Sequence, residues 1–417
     1  MLVLVLLAPG RADAIGSWEG EGELSLEATG ALRMTGAVVR FRDAPGLLPE
    51  DDVDALAGTV ARLLLEGGLS ARVEYKANLF FELSRGPSTL AGGLLSTAGS
   101  FASPYRNSYL VWDFWDSGSV AGRMGVDRLS VEIDLEPLSL SIGRMPLNYS
   151  VTHILTPNDL FAPFSAAAIN KVYKPGVDAL RANYALSPLA SVELAAVLGS
   201  DADGVPRWSQ AALVARASAV AWEIQWAALG GKLAQRWFVG ATLQGELGPL
   251  GVRAEGHVAF PDADADGTLD EHREVQVSVA GGVDKSFEWR NFNVALEAMY
   301  LSTGASGSQG YVERLGRRLP DELPYMGRLY LGLSVSGEIL PILRGVVLGL
   351  VNTQDGSGLA MASLAYSLAD EADLALGMLL PWGALPDSAA AALATGNLES
   401  EFGYVPLTVF LETRVFF

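Results

Sequence analysis

Apolar residues alternate with polar or charged ones along most of this chain, and the pattern is clearest at its end. Leu407, Val409, Leu411, Thr413, Val415 and Phe417 form one row, and Thr408, Phe410, Glu412, Arg414 and Phe416 form the other. A period of two defines a strand whose rows face opposite sides. The alternation recurs at 23–34, where Leu24, Leu26, Leu32 and Met34 oppose Glu23, Ser25, Glu27 and Arg33. At 71–79, Val73, Tyr75, Ala77 and Leu79 oppose Arg72, Glu74, Lys76 and Asn78. At 129–135, Leu129, Val131, Ile133 and Leu135 oppose Ser130, Glu132 and Asp134. Arg253, Glu255 and His257 share one side of 252–260, while Trp222, Ile224 and Trp226 oppose Glu223 and Gln225. Apolar rows in lipid and ionic rows facing inward are what a transmembrane β-barrel requires. A soluble sandwich shows the same alternation, with its apolar rows in a dry core.

The connections separate the two readings. Tight turns are expected at 67–70, 136–139, 187–190, 248–251, 340–341 and 370–371. Between them lie long polar connections at 41–55, 85–125, 146–175, 200–208, 261–271, 302–323 and 382–402, with one short connection near Gly230, Gly231 and Lys232. Short turns on one side and long loops on the other are the asymmetry of an outer-membrane barrel. The fold class is therefore all-β: a transmembrane antiparallel β-barrel with short periplasmic turns and long external loops. Both termini placed in the periplasm give about 18 strands, or about 16 if 59–84 is one long strand. Closure follows because an open sheet edge in lipid leaves backbone N–H and C=O groups unpaired.

Composition fits this picture. Half of the 417 residues are hydrophobic, 46 are Gly and none is Cys. No apolar run reaches the roughly 18 residues of a spanning helix. A net charge of −19 argues against nucleic acid as a partner. Residues 1–14 combine a short apolar stretch with Ala12, Asp13 and Ala14, a small-x-small cleavage pattern, and are read as a signal peptide. Residues 15–417 are then one barrel domain.

Two segments carry a resemblance. The closing strand ending on Phe417 resembles the strand by which outer-membrane proteins are recognised for insertion, which implies outer-membrane localisation, the lipid bilayer as environment and the barrel-assembly machinery as a partner. Gly143-Arg144 at a strand end, Pro157 to Pro163 around Asp159, Leu160 and Phe161, and the entry Pro175-Gly176-Val177-Asp178-Ala179 resemble a poorly characterised set of Gram-negative outer-membrane β-barrels, porin-like in plan. This second resemblance spans about 60 residues, around 129–186. It implies a pore-forming or export role.

The 146–175 loop is longer, more Pro-rich and more apolar than a simple connection requires. Phe161, Phe164 and the stretch 165–169 favour shelter from water, so the loop is expected to fold inward and narrow the lumen. Arg144, Asp159, Lys171, Lys174, Asp178 and Arg181 are then placed near the constriction. The remaining pore-lining residues are expected to be Arg72, Glu74, Lys76, Glu132, Asp134, Glu193, Arg253, Glu255, Glu297, Arg328, Glu412 and Arg414. Trp222, Trp226, Trp237, Tyr300 and Tyr330 suit the interfacial aromatic girdles.

Asp262, Asp264, Asp266 and Asp270, with Gly267 between them, match the first half of a calcium loop. Arg273 stands where such a loop has its bidentate Glu; an acidic turn that stays solvated is the plain alternative. No other cofactor is indicated. The chain has three His, and none lies beside a nucleophile motif, so enzyme activity is not expected. The expected function is an outer-membrane pore for passive or weakly selective passage of small polar solutes, with mild cation preference because acids slightly outnumber bases in the inward rows. The other reading is an export or scaffold barrel of a trans-envelope machine, bound to periplasmic or envelope proteins.

Overall fold

A computed structural model of the chain describes residues 15–20, 23–46, 48, 53–86, 103–162, 173–201, 203–262, 274–317 and 322–417. The signal-peptide reading of 1–14 falls outside them. Among the described residues, twenty strands form one antiparallel sheet. They are β1 (Gly16–Glu19), β2 (Ser25–Arg40), β3 (Val53–Ser70), β4 (Val73–Arg85), β5 (Val111–Asp116), β6 (Val120–Asp134) and β7 (Leu138–Met145). There follow β8 (Val177–Ser187), β9 (Ala190–Val197), β10 (Ala212–Ala221), β11 (Ile224–Leu233), β12 (Arg236–Leu247) and β13 (Leu250–Pro261). The last are β14 (Gln276–Phe287), β15 (Phe292–Leu301), β16 (Leu329–Leu340), β17 (Leu343–Asn352), β18 (Gly358–Ala369), β19 (Ala372–Trp382) and β20 (Leu407–Phe416).

Eighteen of these close into a barrel, each strand beside its sequence neighbour, once β1 and β5 are set aside. β20 closes onto β2 in a register running from Ala31↔Phe416 to Arg40↔Leu407, so the wall has no free edge in lipid. β1 extends the lower edge of β2, and β5 pairs with the upper part of β6. The side-chain rows separate as the period of two requires. On β20, Leu411 is 49% exposed on the outside while Glu412 is 1% exposed on the inside. Outward Leu and Val recur on every side, and inward positions carry Arg33, Arg62, Glu255, Glu297 and Glu412. This is an all-β, 18-stranded transmembrane barrel.

Reversals on the terminus side take two to four residues, and the opposite ends are joined by connections such as 146–176, 302–328 and 383–406. Three local expectations change. β3 continues through Gly67 and Gly68 to Ser70, and the chain reverses at Ala71 and Arg72 instead. Trp222 and Glu223 form a two-residue turn with φ of 53° and 63°, so Trp222, 86% exposed, is the turn tip and not a strand residue. Tyr330 is fully buried and faces inward, so it belongs to no girdle, whereas Trp226, Trp237 and Tyr300 are exposed.

Candidate functional site: a segment clamped across the barrel

β7 ends at Met145, and the chain turns from there into the interior. Tyr149 Oη donates to Glu193 Oε1 on β9 at 2.7 Å. Glu255 on β13 then collects the next stretch. Its oxygens accept Ser150 Oγ at 2.7 and 2.8 Å, the backbone N–H of Val151, that of Thr152 at 3.1 Å and that of Asn158 at 3.0 Å. Glu297 on β15 accepts three consecutive backbone N–H groups, from His153, Ile154 and Leu155, at 2.7, 2.8 and 2.9 Å. Successive N–H groups converging on one anion form a nest. Each such bond to a charged acceptor contributes about 1.5–3 kcal/mol. A buried carboxylate needs this satisfaction, since an unpaired one is strongly disfavoured.

Apolar side chains fix the same segment at both ends. Leu155 is fully buried with Val39, Phe41 and Leu56, and Ile154 lies over Gly332, where an added Cβ would sit 3.0 Å from its Cγ2. Leu147, Tyr149, Leu160 and Phe161 pack with Val214, Leu229 and Phe238. Asn158 Nδ2 donates to the Ala241 carbonyl at 3.2 Å, and its Oδ1 lies 3.0 Å from His257 Nδ1. The segment thus touches inward positions of β9, β12, β13, β15 and β16. Lys174 pairs with Asp159 at its base.

The β2–β3–β4–β6 wall carries a second cluster. β6 bulges at Asp127, because its pairing with β4 steps from Asn78↔Arg128 to Leu79↔Val126. The bulge buries Asp127 completely between Arg62 and Arg106, with Arg106 Nη1 at 3.1 Å. Arg62 and Arg128 face the Tyr173 ring, their guanidinium carbons 4.4 and 6.0 Å from its centroid. Alongside, Glu412 is shared by Arg33 at 2.6 Å and Arg414 at 2.5 Å.

The other expected site residues divide by place. Arg144, 1% exposed, grips both oxygens of Asp178 at 2.8 Å and donates to the carbonyls of Asn107 at 2.8 Å and Val126 at 3.0 Å. Asp178 also accepts Asn107 N–H at 2.8 Å, so this pair rivets the strap 103–110 onto the wall above the short β7. Glu132 accepts Ser139 Oγ at 2.9 Å and lies 4.0 Å from Arg181; Arg253 pairs with Asp284. Lys76 and Glu66, 3.6 Å apart, are half-exposed; Glu74 and Asp134 are exposed. Arg72 stands in its turn, and Arg328 donates to the Gly304 carbonyl at 2.8 Å on the external rim. Lys171 lies outside the described residues.

Asp262 is buried, with Oδ2 accepting Trp237 Nε1 at 3.3 Å. Asp264, Asp266 and Asp270 lie outside the described residues, and no cluster of metal-ligating side chains occurs among those described. His153 is pushed down to about 3 by burial and is therefore neutral, and His257 bonds to Asn158 and not to a nucleophile. At the external rim Glu401 joins three loops. It accepts Met326 N–H at 3.1 Å, Tyr330 Oη at 2.5 Å and Asn352 Nδ2 at 2.7 Å. Burial pushes its carboxyl up to about 7.

A closed barrel of eighteen strands, greasy outside, ionic inside and crossed by an inward segment, has the fold seen in outer-membrane porins. Solved structures share this fold at low sequence identity. Pseudomonas aeruginosa OccK11 (OpdR) matches with a TM-score of 0.56 and 10% identity over 96% of this chain and 99% of its own. Acinetobacter baumannii OccAB3 matches at 0.54 and 11% over 94% and 99%, and Pseudomonas aeruginosa OpdK with vanillate at 0.53 and 13% over 94% and 98%. No family model and no curated protein matches the chain.

Proposed function

We propose that the protein is an outer-membrane pore for small polar solutes, narrowed by the segment 146–162 and favouring anions. The carrying observation is the clamp of Glu255 and Glu297 on that segment. The mild cation preference expected from composition counts Glu255, Glu297 and Glu412 as open charges. In the folded barrel, loop N–H groups occupy the first two and Arg33 and Arg414 the third. On the wall from β20 through β2 to β6, Arg33, Arg62, Arg128 and Arg414, with Arg106 of the strap 103–110, surround the buried Asp127, Glu82 and Glu412, with the less buried Glu66 and Asp373 at the margins, and buried charges with low-dielectric walls project their field into a channel. OpdK was solved with vanillate, so an aromatic acid belongs among the solutes to test.

A reversal potential across a bilayer under a KCl gradient tests this reading. Anion selectivity is expected; cation selectivity would overturn it. A barrel with no conductance at all, recovered with bound envelope proteins, would point to the scaffold role instead. Insertion by the barrel-assembly machinery through β20, and weak Ca²⁺ binding by the external connection at Asp262, Asp264, Asp266 and Asp270, complete the proposal. Calorimetry with Ca²⁺ on the wild type and on Asp264→Ala tests the latter, and absence of heat in the wild type would reject it.

A further inference from the structure

The outer wall is not uniformly convex. On its lipid side, across β16 to β20, a depression of about 790 Å³ opens near the terminus-side end. Gly337, Gly345 and Ala362 give it a floor without bulk, and Ile339, Leu364 and Leu376 form its walls. These are outward positions, in cross-strand register as Gly337↔Gly345 and Gly345↔Leu364. Leucine and isoleucine cover most of the neighbouring wall, so the dent is a local departure from it.

Its mouth has a different chemistry. The turn between β14 and β15 places Trp289 and Arg290 there, with φ of 54° at Arg290 and 48° at Asn291. Two successive non-glycine residues in the left-handed region are uncommon. The Arg290 guanidinium donates to the Ile339 carbonyl and sits 5.7 Å from the Trp289 ring centroid. Lys285, outward on β14, lies over Phe287, which packs against Phe292 at 5.7 Å. These two cations outnumber the turn's Glu288, and Glu338 at the rim is already held by Arg344 at 2.7 Å and Asn291 at 2.8 Å. An apolar trough at bilayer depth, opening under an aromatic and cationic lip at headgroup depth, matches one molecule in both halves.

We propose that this depression is a binding site for an anionic phospholipid of the periplasmic leaflet. One acyl chain lies in the trough over Gly345 and Ala362, and the phosphate faces Arg290 and Lys285. Bulk lipid is as apolar as the trough, so selectivity comes from fit and from the phosphate contact.

The test is electron paramagnetic resonance of the whole protein in phosphatidylcholine vesicles carrying a trace of spin-labelled phosphatidylglycerol or, separately, spin-labelled phosphatidylcholine. The wild type is expected to hold a motionally restricted component that prefers phosphatidylglycerol. Arg290→Gln is expected to lower that preference about fivefold, the order of one cation–phosphate contact. Gly345→Leu, which fills the floor, is expected to abolish the component. Gly349→Leu, whose added side chain meets open space on the same outer row, serves as the folding control and should leave it intact. Equal restriction of the two lipids in the wild type, or a restricted component unchanged in Gly345→Leu, would overturn the proposal. So would crosslinking that finds a second copy of the chain seated on this face. None of these outcomes depends on whether the barrel conducts.

Discussion

The Glu297 carboxylate accepts the Ile154 backbone N–H at 2.8 Å across 143 residues of sequence. That single contact joins the barrel wall to the segment crossing it, and the neighbouring N–H groups of His153 and Leu155 share the same acceptor. Glu297→Ala would leave three buried donors facing an apolar methyl. With each charge-assisted bond contributing about 1.5–3 kcal/mol, docking of the segment should weaken by at least about 100-fold. Hydrogen exchange at these three amides measures this; unchanged protection would show that the apolar anchors alone hold the segment.

Burying a charge in lipid tests the facing of the rows. Leu411 lies on the outward row of β20 and its neighbour Glu412 on the inward one. Leu411→Arg should destabilise the barrel by about 2–4 kcal/mol if its depth is near the bilayer centre. Reversible unfolding from phosphatidylcholine vesicles provides the value, and a neutral result would contradict the assignment.

Asp127 holds two arginines in a dry site. Asp127→Ala removes the buried carboxylate that both share and should destabilise the fold by about 3–5 kcal/mol. In molecules that still insert, the reversal potential should move further toward anions. A shift toward cations would mean that this wall does not set the field of the pore.

The external clasp should respond to pH. Burial raises the Glu401 carboxyl from its ordinary 4.5 to about 7, with Asp355 beside it adding to the rise. Tyr311 Oη and the Glu401 backbone N–H both donate to Asp355 at 2.8 Å, so these are the groups that face it besides Tyr330, Asn352 and Met326. A folded-state pKa above the unfolded one means that the folded clasp binds the proton more tightly. Its stability is therefore fully present below the unfolded value and is lost as pH rises through about 7. Protease cleavage within 302–328 and 383–406 should accelerate on going from mildly acidic to mildly alkaline buffer. Glu401→Gln should abolish that dependence; if it persists, another group controls the clasp.

Much of the barrel was legible because its physics is local. The rows of β20 read directly as lipid-facing and inward, and the alternation of short and long connections led to eighteen strands. Turn positions were less legible. Gly67 and Gly68 looked like a reversal, yet they continue β3, because a glycine pair in a strand and one in a turn have the same composition. Trp222 and Glu223 concealed a turn, since a bulky pair in the left-handed region carries no glycine signal. Tyr330 kept its aromatic character but faces Glu401 on the inside, a matter of register and not of residue type. The inward path of 146–162 was suggested by its apolar content. Its partners Glu255 and Glu297 were visible only as charges on an inward row, because roughly a hundred residues or more separate them from the amides they hold. The Asp127 bulge had no sequence signal at all.

Single-channel conductance in a planar bilayer addresses the central claim most directly, comparing the wild type with the double variant Glu255→Ala, Glu297→Ala. A pore narrowed by a clamped segment predicts a measurable wild-type conductance that becomes larger and noisier when both carboxylates are removed. Identical conductance in the two proteins would contradict it.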